Sequence, residues 1–204
     1  MAITNGYCSL AQLKAALRIS DATDDALLES SIESASRLID GHCARAFWNA
    51  GTATRQYAAN DQYSLEVDDF YSSTITIQTA SSDYGVYDTT WDVTRDAQLE
   101  PTNGVVDGLA WPYNRLRAVG DYAFPVAGGG REVRVRVTAG YGWVAVPKTI
   151  EQAALIQASR IFKRADSPLG VAGFGEFGAM RVSTRLDPDV SMLVDPYKRV
   201  RNVA

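Results

Sequence analysis

The sequence predicts an α+β protein in which both chain ends build one helical domain, residues 1–50 with 147–204. An inserted antiparallel β domain, a sandwich or small barrel, interrupts it over residues 51–146. Three observations predict this. Apolar residues recur at three- and four-residue steps in the N-terminal part, alternate singly from about Thr52, and return to helical spacing at Pro147. Neither helical end alone can cover its apolar faces, so the economical arrangement packs the two ends on each other.

Ser9 and Gln12 have the spacing of a capping box, in which hydroxyl and amide side chains satisfy backbone N–H groups at a helix start; a short helix to about Ile19 follows. Residues 20–25, SDATDD, form a turn rich in N-cap residues, with negative charge where a helix N-terminus favours it. The helix it opens is long. Leu28, Ile32, Ala35, Ile39 and Cys43 make its core stripe, beside a second stripe of Leu27, Ser31, Ser34 and Leu38 whose small hydroxylated middle suits close approach of another helix. Gly41 either ends this helix early or is tolerated inside it.

In the β region YSLEV, TITIQTA, WDVTR, NRLRAV and REVRVRVTAG read as strands separated by Asn-, Asp-, Pro- and Gly-containing turns. Val133, Val135 and Val137 should face a core, with Glu132, Arg134 and Arg136 on the wet face, and Gly128 to Gly130 should form a hairpin tip. Beyond Pro147, a residue whose missing N–H is harmless in a first helical turn, Ile150, Ala153, Ala154, Gln157, Ile161 and Phe162 line a helix. Arg160, Lys163 and Arg164 stand at its C-terminal end, where the dipole favours cations. Asp187 and Pro188 read as N-cap and first position of a short terminal helix that Pro196 bends or ends.

Composition excludes several classes. With 46% hydrophobic and 22% charged residues the chain reads as globular rather than disordered. Residues 1–147 carry 11 Lys/Arg against 18 Asp/Glu, net −7, and residues 148–204 carry 9 against 6, net +3. An acidic body argues against nonspecific nucleic-acid adhesion, and the basic tail suits an acidic partner surface. The N-terminus has no basic-then-apolar signal, and no apolar stretch approaches the ~18 residues of a membrane span. Cys8 and Cys43 read as buried thiols in a reducing compartment, so a cytoplasmic protein is expected unless it leaves as part of something larger.

No catalytic constellation emerges. Gly173, Gly175 and Gly178 spell G-x-G-x-x-G, but a helix precedes them and the β-branched stretch MRVST follows. That order cannot aim a helix N-terminus at a pyrophosphate, so no nucleotide cofactor is implied. The segment reads either as a surface loop closing a helix or, since Val171, Phe174, Phe177 and Met180 are large and apolar, as one that gains order against a partner. His42, the only histidine, has no partner motif and reads as a local contact at a helix end. Asp68 and Asp69 are too few ligands for a cation, and no metal spacing is present. Arg131, Arg134 and Arg136, with the aromatics Trp111, Tyr113, Tyr122, Phe124, Tyr141 and Trp143, leave an alternative reading as a cytoplasmic nucleic-acid-binding module, Arg134 and Arg136 being the DNA-facing pair. Core packing and a solvated face explain the same residues.

Two stretches carry a family resemblance. Residues 7–48, with a short helix, an Asp-rich turn and a long helix closing on Ile39, Asp40, Gly41, Cys43 and Arg45, resemble the N-terminal helices of head-to-tail connector (adaptor) proteins of long-tailed bacteriophages. Residues 152–199, above all FKRADSPLGVAGFGEFGAMRVS, resemble the C-terminal part of such adaptors from actinobacteriophages, whereas the β region departs from the shorter, nearly all-helical members. The resemblance implies a structural virion protein and no enzyme: a ring, typically of twelve copies, docked beneath the portal protein. A head-closure (stopper) or tail protein would attach below, and DNA would pass through the channel without specific binding. Such a ring would be assembled in the host cytoplasm and have no membrane contact. It further implies interface roles, toward portal or neighbouring subunit, for Pro168, Leu169, Val171, Phe174, Phe177, Met180, Arg181, Tyr197, Lys198, Arg199 and Arg201, with no catalytic, cofactor or metal residues.

Overall fold

The structure, a computed structural model, describes residues 3–126, 132–165, 171–172, 180–181 and 186–199. Two compact units form, one from residues 1–47 with 146–204 and one from residues 48–145.

In the first unit α1 (Leu10–Leu17) begins at the expected capping box: Ser9 Oγ accepts from the Gln12 amide at 3.2 Å and Gln12 Oε1 from the Ser9 amide at 2.7 Å. It ends at Arg18 in the left-handed region. Helix α2 (Asp25–Cys43) follows with Asp24 as N-cap, runs through Gly41 without a break and ends at left-handed Ala44. Lys14, in the last turn of α1, pairs with Asp25 at 2.6 Å, tying the end of α1 to the start of α2. Helix α4 (Lys148–Ala165) packs on α1 and α2, and Pro147 stands just before it, its carbonyl accepting from the Glu151 amide at 3.0 Å. The core stripe of α2 is wholly buried, as are Ile150, Ala153 and Ala154 on α4. Each fully buried Leu or Ile contributes about 1.5–3 kcal/mol. Asp187 caps α5 (Pro188–Val194), accepting from the Asp189 amide at 3.0 Å, and a 3-10 turn (Asp195–Tyr197) carries the chain past Pro196.

The second unit is one seven-stranded antiparallel sheet that curls around a single core. Its strands are β1 (Asn49–Tyr57), β2 (Ser64–Phe70), β3 (Thr76–Thr79), β4 (Thr89–Thr90), β5 (Ala97–Glu100), β8 (Tyr113–Ala118) and β9 (Val135–Gly142). β9 is the hub. One of its edges pairs with β1, and the other is shared between β3 and the last residue of β2, where Phe70 faces Tyr141. β2 then pairs with β8, and β8 with β5. A register shift between Glu66 and Phe70 bends β2 from one partner toward the other. Val135 and Val137 are fully buried and Arg134 and Arg136 half-buried on the opposite side, as alternation requires. A separate hairpin, β6 (Val105–Val106) with β7 (Leu109–Ala110), turns on Asp107 and Gly108, both at positive φ.

One expectation is corrected. WDVTR is not a strand: Asp92 accepts from the Thr94 amide at 3.1 Å and caps a helical turn, α3 (Val93–Asp96), while Asp96 accepts from the Asp92 amide at 2.8 Å. Local carboxylate bonds outcompete the ladder there. Gly128 to Gly130, the expected hairpin tip, lie outside the described residues.

Candidate functional site

The tail is where the expected interface residues can best be placed. Tyr197 is 2% exposed, its ring edge-on to Phe47 with centroids 5.7 Å apart. It therefore belongs to the core of the first unit, which corrects its expected role as a partner contact. Phe47 also meets Tyr7 at 5.7 Å, and its amide donates to the Tyr7 hydroxyl at 2.8 Å, while that hydroxyl donates to Asp40. Burial, with the nearby Asp40 carboxylate, pushes the Tyr7 phenol well above its ordinary value, and burial raises Asp40 although Tyr7 and Arg37 oppose the rise.

Around this aromatic stack the tail is clamped to the end of α2. His42 Nε2 lies 2.7 Å from Asp195 Oδ1, Lys198 Nζ 2.9 Å from the same oxygen, and the Arg199 amide donates to the Cys43 carbonyl at 2.9 Å. Hydrogen bonds from Lys198 and His42 hold the Asp195 carboxyl below its usual range. His42 is thus a local contact at a helix end, as its sequence setting implied. Lys198 is exposed and Arg199 half-buried, so the described part of the tail ends on two cations.

Of the other expected interface residues, Pro168, Leu169, Phe174, Phe177 and Arg201 lie outside the described residues. Val171 and Met180, with Arg181, belong to two short antiparallel strands, β10 (Val171–Ala172) and β11 (Met180–Arg181), paired Val171 to Arg181 and Ala172 to Met180. The second stripe on α2 is divided: Ser31 turns inward and donates to the Leu27 carbonyl at 2.8 Å, whereas Leu27 and Leu38, each 41% exposed, flank exposed Ser34. Sequence spacing located this stripe but not which of its members face out.

Arg134 and Arg136 are both engaged on the sheet. Arg134 pairs with Glu132 at 2.6 Å, and Arg136 donates twice to Gln78 Oε1, at 2.7 and 3.1 Å, with its guanidinium 4.3 Å from the Tyr87 ring centre. Arg131 lies outside the described residues. The aromatics expected in packing do pack: Trp91 stacks on Phe124 at 4.7 Å, Phe70 meets Tyr113 at 5.3 Å, and Trp111 meets Trp143 at 5.3 Å. Asp68 pairs with Arg55 at 2.7 Å, and among the described residues no group of three or more His, Cys, Asp or Glu side chains could hold a metal ion. Nor is any described helix long and apolar enough to cross a membrane.

The model of the family described as phage gp6-like head-tail connector protein matches residues 7–84, which takes in α1, α2 and the first three strands. A search of curated proteins returns no match. Among solved structures, the chain resembles one in the "Neck of empty GTA particle computed with C6 symmetry", with TM-score 0.57 and 19% identity, covering 100% of this chain and 95% of that one. It also resembles one in the "Virion of native gene transfer agent (GTA) particle", with TM-score 0.54 and 20% identity at the same coverage. The resemblance to phage head-tail connector proteins is therefore borne out, by sequence over residues 7–84 and by fold along the whole chain.

Proposed function

We propose that this chain forms the adaptor ring of a virion neck, docked beneath the portal protein and above a head-closure or tail component, with the genome passing down its channel. The observation that carries this reading is the connector-family match over residues 7–84. The exposed, uncharged stripe of Leu27, Ser34 and Leu38 supports it, because a closed ring needs a second contact face on a helix already buried on one side. Twelve copies fit a neck of sixfold symmetry such as that of the gene transfer agent, as two per repeat. The ring performs no reaction. DNA slides past an acidic body whose like charge keeps phosphates hydrated. The glycine loop from Pro168 to Met180 and the cationic end of the tail at Lys198, Arg199 and Arg201 serve contacts with portal or neighbouring subunits, and the residues 1–50 with 147–204 act as the docking domain.

Electron microscopy of the full chain mixed with its portal protein tests this. Closed rings seated on portal are expected. A chain that stays monomeric and unbound at micromolar portal contradicts it.

A further inference from the structure

Among the described residues β1 pairs with a strand on one side alone, and the β6–β7 hairpin pairs with no other strand. Which backbone groups of β1 point outward follows from the bonding of β9. The Arg134 and Gly140 carbonyls accept from the Ala80 and Tyr71 amides, at 2.9 Å each, across the β3 and β2 side of the hub strand. Bonding direction alternates along an antiparallel strand, so Val135, Val137, Ala139 and Tyr141 bond toward β1, and the Trp143 amide, reaching the Trp48 carbonyl at 3.2 Å, continues that parity. Their register partners Tyr57, Arg55, Ala53 and Gly51 therefore bond inward, leaving the N–H and C=O groups of Thr52, Thr54 and Gln56 facing away from the sheet. All three residues are exposed, and among the described residues none of these backbone groups has a bonding partner. Such an edge is usually blunted by lysine, proline or a central bulge. β1 has neither residue, and its only irregularity lies at its start, between Asn49 and Gly51.

The β6–β7 hairpin is the converse. Only two residue pairs form its ladder, and the Trp111 amide bonds to the Gly104 carbonyl at 2.7 Å at its base. With Gly104 facing Trp111 as a bonded pair, alternation turns the Val105 N–H and C=O outward. Val105 is also 70% exposed, and an isolated two-stranded hairpin is marginal in water.

We propose that β6 of one copy adds to the free edge of β1 in the next copy, Val105 lying alongside Thr54, so that sheets join head to tail around the ring. Donor and acceptor are different elements of one chain, which is what a heterologous, closing contact needs. With Val105 opposite Thr54, Val106 falls beside Ala53 or Arg55, and Arg55, the one charged residue of β1, is already held by Asp68 at 2.7 Å. An extended strand is the one partner whose backbone matches such an edge. The inference rests on the ring reading.

The test uses the full chain assembled on portal. Thr54→Cys with Val105→Cys, oxidised in the ring, should give a ladder of covalent multimers on a non-reducing gel, and each single cysteine should give none. Thr54→Pro and Val105→Pro remove no inward backbone bond, and the first loses besides its outward N–H only the exposed hydroxyl contact with Thr138 at 2.8 Å, so both variants should stay close to the wild-type melting profile yet fail to enter rings. Ala53→Pro, which breaks an inward bond, should instead lower the melting temperature. Rings in which the double-cysteine chain stays uncrosslinked, in which Thr54→Cys alone crosslinks to itself, or which admit both proline variants would overturn the join while leaving the ring standing. Failure of the wild-type chain to form rings would remove the proposed function and the join with it.

Discussion

Tyr197 packs edge-on against Phe47, 5.7 Å between ring centres at an interplanar angle of 78°, so that a residue seven from the C-terminus closes the core laid down by the first helices. Tyr197→Ala should cost about 3–5 kcal/mol, as for a buried aromatic truncated in a core, and should free the segment after Val194. Urea denaturation measures the first and hydrogen exchange at Arg199 the second. Tyr197→Phe, which keeps the ring and its edge-on contact with Phe47, should cost far less than Tyr197→Ala.

Gly142 in β9 has φ +91, and a Cβ there would lie 2.0 Å from the Trp48 carbonyl oxygen. Left-handed strain and overpacking then act together. Gly142→Ala should destabilise by roughly 3 kcal/mol or more, read as a lowered midpoint in thermal or urea unfolding. Gly41, with open space around it, is the control: Gly41→Ala in the exposed part of α2 should stabilise by about 0.5–1 kcal/mol.

The thiols give a pH prediction. Burial, with Glu151 nearby, raises Cys8 to about 11, and burial raises Cys43 to about 12 against the opposing Arg45 charge. Both folded values exceed the ordinary thiol, so the stability these groups contribute is fully present below about pH 8.5 and is lost as pH climbs through 11 and 12. Native protein at pH 8 should therefore react with a thiol reagent far more slowly than unfolded protein. Equal rates would show that neither thiol is shielded.

The exposed stripe on α2 predicts a separation of folding from assembly. Leu38→Asp and Leu27→Asp, each at a 41% exposed site, should change monomer stability by less than about 1 kcal/mol but weaken ring formation at least tenfold, as seen by native mass spectrometry of mixtures with portal. Unchanged ring formation by the double variant would remove this face from the interface.

What could be read in advance depended on how local the determining contacts are. Ser9 with Gln12, and Asp187 with Pro188, set helix starts within a few residues, and the α2 stripe of Leu28 to Cys43 needs only the helical period. β1 carries no strand signal of its own, because Gly51, Ala53 and the threonines alternate weakly in hydrophobicity and their partner β9 lies some eighty residues downstream. At Asp92 the β-branched neighbours suggest a strand, but the carboxylate bonds decide the backbone and make a helical turn. For the interface, spacing marked the second α2 stripe, but nothing near Tyr197 in sequence signals that Phe47 and Tyr7 receive it. The outward groups of Thr52, Thr54 and Gln56 follow only from the sheet's pairing order.

The connector role itself is tested most directly by assembling particles without this chain. The account predicts DNA-filled heads that carry portal but leak genome and bear no tails, with tails accumulating free. Tailed particles that retain their DNA in the chain's absence would contradict it.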